Sequence, residues 1–234
     1  RLLHRSPRIH AVTARFITLE GIDGSGKSSQ LERLADWLRT LGPEVVTCRD
    51  PGSTAAGNAV RSILLHRQEI PLDATAEMLL YMAARAQLVA EVIRPALARG
   101  AWVVSDRFLL SNVVYQGHAG GLGPPQVWSV GQTATGGLQP DVVLWLDIDL
   151  ATAAARMHRD LDRLESRGDD FRERLRAGYT AEAAADPSRV RRVDATAAAD
   201  AVAGRLQAII REAFPELPAE AAASTTPATP TPQP

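Results

Sequence analysis

The sequence predicts an α/β fold, a five-stranded parallel sheet with helices on both faces. Three observations predict it. Short apolar runs alternate with stretches of helical period from about residue 16 to residue 214. The first run breaks into a glycine-rich loop ahead of a helical stretch, and the third ends in an acid–base pair, Asp106-Arg107. Strands joined by helical crossovers lie parallel and are covered on both faces, and ligands then gather at the strands' carboxyl ends. With 234 residues the chain has room for one such domain plus tails.

The elements follow in order. Phe16-Ile17-Thr18-Leu19 reads as the first strand, stopped by Gly21, and Ser28 to Leu41 as a helix with Leu31, Leu34, Ala35 and Leu38 on one face, ended by Gly42-Pro43. Val45 to Cys48 is a second strand, and Gly57–Leu65 and Ala74–Ala98 are helices. Trp102 to Val104 and Val142 to Leu146 are strands closed by Asp106 and Asp147. Helices are expected from Ala151 to about Arg159, from Asp169 to Ala185 and from Ala198 to Phe214, with a weaker strand at Val190–Val193. Residues 1–14 are basic and aperiodic and read as a flexible extension; the folded domain is expected over 15–214. Residues 215–234, rich in Pro, Ala and Thr, hold too little apolar surface to offset their ordering entropy and read as a disordered tail.

Composition narrows the function. A net charge of −1 argues against a nucleic-acid polymer or a membrane surface as partner. No apolar run approaches the roughly 20 residues needed to cross a bilayer. The single cysteine, Cys48, excludes an internal disulfide framework and a multi-cysteine zinc site. Lys27 is the only lysine among 26 basic residues, so arginine serves wherever a positive charge alone suffices.

Lys27 lies in Gly21-Ile22-Asp23-Gly24-Ser25-Gly26-Lys27-Ser28, which fits G-x-x-x-x-G-K-[ST], the P-loop. Glycines let the backbone curl so that its N–H groups face phosphate oxygens, and the following helix adds its positive end. Lys27 is a compact charge that reaches the β- and γ-phosphates; a guanidinium is bulkier and differently shaped. Ser28 offers a hydroxyl to Mg²⁺, and Asp106, at the end of an apolar strand, is a second candidate ligand for that ion. Arg107 beside it can grip a phosphate with two parallel bonds. Without a second lysine the chain cannot carry the Asn-Lys-x-Asp motif of a GTPase switch.

Four blocks in order resemble the thymidylate kinase family of nucleoside monophosphate kinases: the P-loop with Asp23 inside it, Thr47–Thr54 around Asp50-Pro51-Gly52, Tyr81–Gln87 around Arg85, and Asp106–Gly117. A looser fifth block runs from Asp162 to Tyr179. The resemblance implies transfer of the γ-phosphoryl group of ATP to dTMP, with Mg²⁺, in a cytoplasmic homodimer. It places Asp23 near the sugar hydroxyl and the metal. Tyr81 would stack on the base, and Arg85 would meet the base edge or the acceptor phosphate. Ser111, Asn112 and Gln116 would border the base pocket, and Tyr115 would pack on the deoxyribose. Arg107, and less directly Arg61, would hold the acceptor phosphate. Plainer readings stand beside these: core packing for Tyr81 and a solvated helix face for Arg85. The family's neutralising arginine comes from the P-loop or from a lid. Ser25 leaves the P-loop position neutral, so Arg156 and Arg163, in an arginine-rich lid over about residues 156–168, are the candidates. Three departures stand out: Asp50 replaces a glutamate, Ser53 replaces a glycine, and Val114 replaces an alanine, which is expected to tighten the base pocket. The rival readings are another nucleotide or nucleoside kinase of the same fold and a non-catalytic nucleotide-binding module.

Overall fold

The computed structural model describes residues 13–67, 69–157 and 168–218. Among them five parallel strands form one sheet in the order β2-β3-β1-β4-β5: β1 (Phe16–Glu20), β2 (Val45–Arg49), β3 (Trp102–Asp106), β4 (Val142–Asp147) and β5 (Val190–Asp194). Each strand runs to a charged residue just past its apolar run. The backbone ladder continues whatever the side chain, as the pairs Leu19–Asp106, Arg49–Asp106 and Asp147–Asp194 show. The side-chain period of two sends alternate residues to two cores. Ile17, Trp102, Val104 and Leu144 pack against α1 (Lys27–Thr40) and α9 (Ala199–Ala213). Phe16, Val103, Val143 and Trp145 face the larger cluster on the other side.

That second layer holds α2 (Ala55–Arg61), α3 (Ala74–Leu88), α4 (Arg94–Ala98), α5 (Leu109–Asn112), α6 (Pro124–Thr135), α7 (Leu150–Arg156) and α8 (Asp169–Ala185). Helix α2 begins two residues before its expected start, because Thr54 caps it by accepting from the Gly57 amide at 2.9 Å. It then widens into a π-turn over Ser62–His66. The single long helix expected over 74–98 is interrupted by a π-turn at Val89–Ile93. Pro95 lacks an N–H and crowds the preceding turn, and a π-turn accommodates both. The sequence assigns no element to 118–141, yet α6 lies there, started by Pro124-Pro125 after Gly123 and ended at Gly136 in the left-handed region. A π-turn over Val113–Ala119 extends α5.

The described chain continues past residue 214. Leu217 is buried beside Phe214, and the side chains of Arg15 and Glu216 pair, so residues 215–218 pack against the domain instead of starting a loose tail. Residues 1–12, 219–234 and most of the expected lid, Arg163 included, lie outside the described residues.

Candidate active site

The loop Gly21–Ser28 leaves the carboxyl end of the central strand and enters α1. Gly26 opens that helix at φ 88°, and Gly24 sits at φ 81° directly against α7. A Cβ on Gly24 would lie 2.4 Å from the Ala153 carbonyl oxygen, so only glycine lets the loop nest there. The buried Lys27 ammonium donates to the Ile22 carbonyl at 2.9 Å and lies 3.6 Å from Asp23 Oδ1. Burial pushes its pKa down, and the neighbouring Arg107 charge adds to the fall; Asp23 and Asp106 oppose it. Ser25 Oγ is buried and finds no hydrogen-bond partner among the described residues.

Ser28 Oγ donates to Asp106 Oδ2 at 2.8 Å, while Asp106 Oδ1 is buried without a hydrogen-bond partner. A hydroxyl oxygen beside a half-satisfied carboxylate is a hard-oxygen donor pair, which suits Mg²⁺. These two residues therefore fit the ion that the sequence assigns to them.

Arg107 occupies the turn after β3 at φ 70°, a conformation that costs a side-chain-bearing residue. Its surroundings fix it there. Its amide donates to the Leu19 carbonyl at 3.0 Å, and its carbonyl accepts from Ser105 Oγ at 2.7 Å. The guanidinium reaches the Gly21 carbonyl (2.9 Å), Ser111 Oγ (3.0 Å), Asp23 Oδ1 (2.7 Å) and Tyr115 Oη (3.3 Å). Behind it lies Glu20, fully buried, which accepts from the Phe108 amide at 2.8 Å, from Ser111 Oγ and from Tyr179 Oη at 3.2 Å. Burial raises the Glu20 pKa above its ordinary value; the Ser111 hydrogen bond and the Arg107 charge only partly oppose this.

Two clefts meet over this turn. A wide one is lined by Gly24, Gly26, Lys27, Ser28, Asp106 and Arg156 among others. A narrower one is lined by Tyr81, Arg85, Ser111, Asn112, Tyr115 and Gln116. Asp23, Asp50, Arg61, Leu65 and Arg107 line both. The sequence-derived residues thus divide into a P-loop group and a narrow-cleft group, with Asp23, Arg61 and Arg107 at the junction.

Several placements refine the sequence reading. Arg85 is no solvated residue. Its side chain is 1% exposed and pairs with the equally buried Asp50 at 2.6 Å, with Nη2 donating to the Phe108 carbonyl at 3.2 Å. Tyr81 is buried and also lines the narrow cleft. Arg61 donates to the Pro51 carbonyl at 3.0 Å. Val114 does not tighten the cleft. It is wholly buried, is not among the residues that line the cleft, and lies within contact reach of Gly178 on α8. Ser53 keeps the left-handed backbone (φ 62°) that favours glycine, and its hydroxyl accepts from the Arg49 amide at 2.9 Å. Arg156, at the end of α7, donates to the carbonyls of Ala195 (2.8 Å) and Thr196 (2.9 Å) in the loop after β5. Arg156 lines the wide cleft, and Arg163 lies outside the described residues.

Sequence reasoning assigned no role to Glu20, Asp50 or Glu77, although all three are buried at or behind the site. Each left a signal. Glu20 is an acid terminating an apolar strand. Glu77, Tyr81 and Arg85 recur every four residues, which places them on one face of α3. Asp50 stands directly before the Pro51-Gly52 turn of the second block.

The comparisons with known proteins agree with this geometry. The family model described as thymidylate kinase matches residues 19–205. A thymidylate kinase of Rhodopirellula baltica is 42% identical over 204 residues, covering 87% of this chain and 83% of the relative. One of Desulforudis audaxviator is 45% identical over 205 residues, covering 87% and 93%. The crystal structure of thymidylate kinase from Ehrlichia chaffeensis superposes with a TM-score of 0.70 at 27% identity, over 84% of this chain and 98% of that one. With a P-loop, an Asp-Arg turn and two joined clefts in the arrangement described, and a family match over most of its length, the chain belongs to the thymidylate kinase family.

Proposed function

We infer that this chain transfers the γ-phosphoryl group of ATP to dTMP, giving dTDP and ADP. The observation that carries the inference is the junction of the two clefts at Asp23, Arg61 and Arg107, with the P-loop on one side and the aromatic, amide-lined cleft on the other. A phosphoryl acceptor and donor must meet end to end, and shared cationic residues at one junction provide that meeting point.

Phosphoryl transfer asks the protein mainly to position the reactants and neutralise charge. On this reading Lys27 and the loop amides hold the donor phosphates, and Arg107 holds the acceptor phosphate so that its oxygen attacks in line. No covalent intermediate with the protein forms. Arg156 supplies further positive charge from the lid side, and closure there excludes water, which limits wasteful hydrolysis of ATP. Ser28 and Asp106 would hold Mg²⁺, which would supply neutralisation of the phosphate oxygens. Tyr81 stacks on the base, Tyr115 packs on the sugar, and Ser111, Asn112, Gln116 and Arg85 frame the base edge.

We further propose a cytoplasmic homodimer that packs through α3, whose Leu79 is 49% exposed. No helix among the described residues is long and apolar enough to cross a membrane. A coupled ADP-release assay over dTMP, dCMP, dAMP and thymidine tests the reading. dTMP should be strongly preferred, and Arg107→Ala should lower turnover on the order of 10³-fold. Preference for another acceptor, or near-normal turnover by the variant, would overturn it.

A further inference from the structure

One element of the narrow cleft has a direction built into it. Glu77, buried on α3, accepts from Gln116 Nε2 at 3.0 Å. Gln116 Oε1 in turn accepts from Asn112 Nδ2 at 2.7 Å. A carboxylate offers only lone pairs, so it turns the Gln116 amide until its NH₂ faces Glu77. The Gln116 oxygen then faces Asn112 and demands that residue's NH₂. The remaining polar atom, Asn112 Oδ1, is buried and has no hydrogen-bond partner among the described residues. Asn112 and Gln116 line the cleft, whereas Glu77 is not among the residues that do.

An isolated amide orients freely, because its two ends are nearly the same shape. Here the order of donors and acceptors is anchored at one end by a group that cannot donate. The free end is therefore an acceptor, and it waits for a donor. Thymine and uracil carry N–H at ring position N3, while cytosine carries a lone pair there. An acceptor set against an acceptor leaves two buried lone pairs facing each other without a proton between them.

We propose that Glu77 is a specificity-positioning residue. By fixing the polarity of the Glu77–Gln116–Asn112 relay it makes the narrow cleft present a hydrogen-bond acceptor, which admits pyrimidines protonated at N3 and rejects cytosine. The proposal rests on the reading of the narrow cleft as the acceptor-nucleotide site. dUMP carries the same N3–H as dTMP, so discrimination between those two comes from other residues.

The test compares kcat and KM for dTMP, dUMP and dCMP in the wild type, Glu77→Gln and Glu77→Asp. Gln at 77 can donate as well as accept, so the relay can reverse and turn the Asn112 NH₂ toward the ligand. In Glu77→Gln the dTMP-to-dCMP ratio of kcat/KM should fall by at least about 10-fold, chiefly through a higher KM for dTMP. The dTMP-to-dUMP ratio should stay within about 2-fold, and Glu77→Asp, which still cannot donate, should keep the wild-type dCMP discrimination. If Glu77→Gln fails to fold, Gln116→Met breaks the same relay and should produce the same fall. A folded variant of either kind whose dTMP-to-dCMP ratio falls by less than 10-fold overturns the proposal, as does a parallel loss on all three nucleotides. Asn112→Ala separates the two levels of the argument. An unchanged KM for dTMP in that variant removes the cleft assignment itself, whereas a raised KM with the discrimination of Glu77→Gln intact removes only the relay.

Discussion

Adding one methyl group at Gly24 tests how tightly the phosphate loop is keyed to α7. Gly24 has φ 81°, and a Cβ there would stand 2.4 Å from the Ala153 carbonyl oxygen, about 1 Å short of an ordinary contact at 3.4 Å. Gly100 provides the control. Its φ is 88°, nearly the same, but a Cβ there meets nothing within 4 Å. Backbone strain is therefore common to both substitutions, at about 1 kcal/mol. The overlap is specific to Gly24 and adds about 1–3 kcal/mol, since the obstructing atom belongs to the backbone of a packed helix. Gly100→Ala should lower the melting temperature by about 2–4 °C, and Gly24→Ala by about 4–16 °C, for a chain of this size. Function should separate the two further. To relieve the overlap, the loop carrying Lys27 or the helix carrying Arg156 must move by about 1 Å, a displacement that typically lowers turnover on the order of 10²-fold. Gly100→Ala should leave kcat unchanged. Thermal unfolding followed by circular dichroism, with the ADP-release assay on the same samples, gives both numbers. If Gly24→Ala is no less stable and no less active than Gly100→Ala, the loop is not held against α7.

Two further outcomes follow from the buried charges. Lys27→Arg should cost on the order of 10³ in kcat, because a guanidinium cannot occupy the buried space beside the Ile22 carbonyl that the ammonium fills; single-turnover kinetics at saturating ATP would measure it, and a loss under 10-fold would refute the steric argument. Glu20→Gln should change how stability varies with pH. Burial raises the Glu20 pKa, so the folded state binds that proton more tightly than the unfolded chain does. The favourable contribution is full below the unfolded value and is lost as pH rises through the folded one. Asp50 shifts the same way, also mainly through burial, and is unchanged in the variant. Urea midpoints measured across mildly acidic to neutral pH should therefore decline more steeply with pH in the wild type than in Glu20→Gln, and parallel curves would contradict the assignment.

The core of the fold was legible because the sheet is buried on both faces. Runs such as Trp102-Val103-Val104 and Val142–Leu146 have few other uses in a chain of this composition. Strand ends were misjudged by one or two residues for a reason tied to function. Glu20, Arg49, Asp106, Asp147 and Asp194 end their strands as charged groups at the edge where ligands gather, and polarity there masks a ladder that has not stopped. Helix α6 was missed although Pro124 and Gly136 mark its two ends, because the glycines before it dilute any apolar period. In the site, the residues proposed to meet phosphate were legible from motif chemistry, since a phosphate loop requires glycine and lysine for what they are. Residues that act by holding others were not. Asp50, Glu20 and Glu77 owe their roles to Arg85, Ser111 and Gln116, each distant in the chain, and only the folded structure brings those pairs together.

The arrangement also accounts for the lone lysine. Arg107 works through its shape: one guanidinium spans a loop carbonyl, a carboxylate and two hydroxyls in fixed directions, which pins the turn between the clefts. An ammonium could not hold that many directions at once from one planar group. Lys27 faces the opposite demand. It is enclosed by its own loop and has room for a compact charge with a single short bond to Ile22. Asp23 lies 2.7 Å from one cation and 3.6 Å from the other, so one carboxylate moderates the repulsion between the two. A chain that uses arginine at every other basic position keeps lysine where the space between a backbone loop and its carboxylate excludes a fork-shaped cation, and that is the position we propose for contact with the donor phosphates.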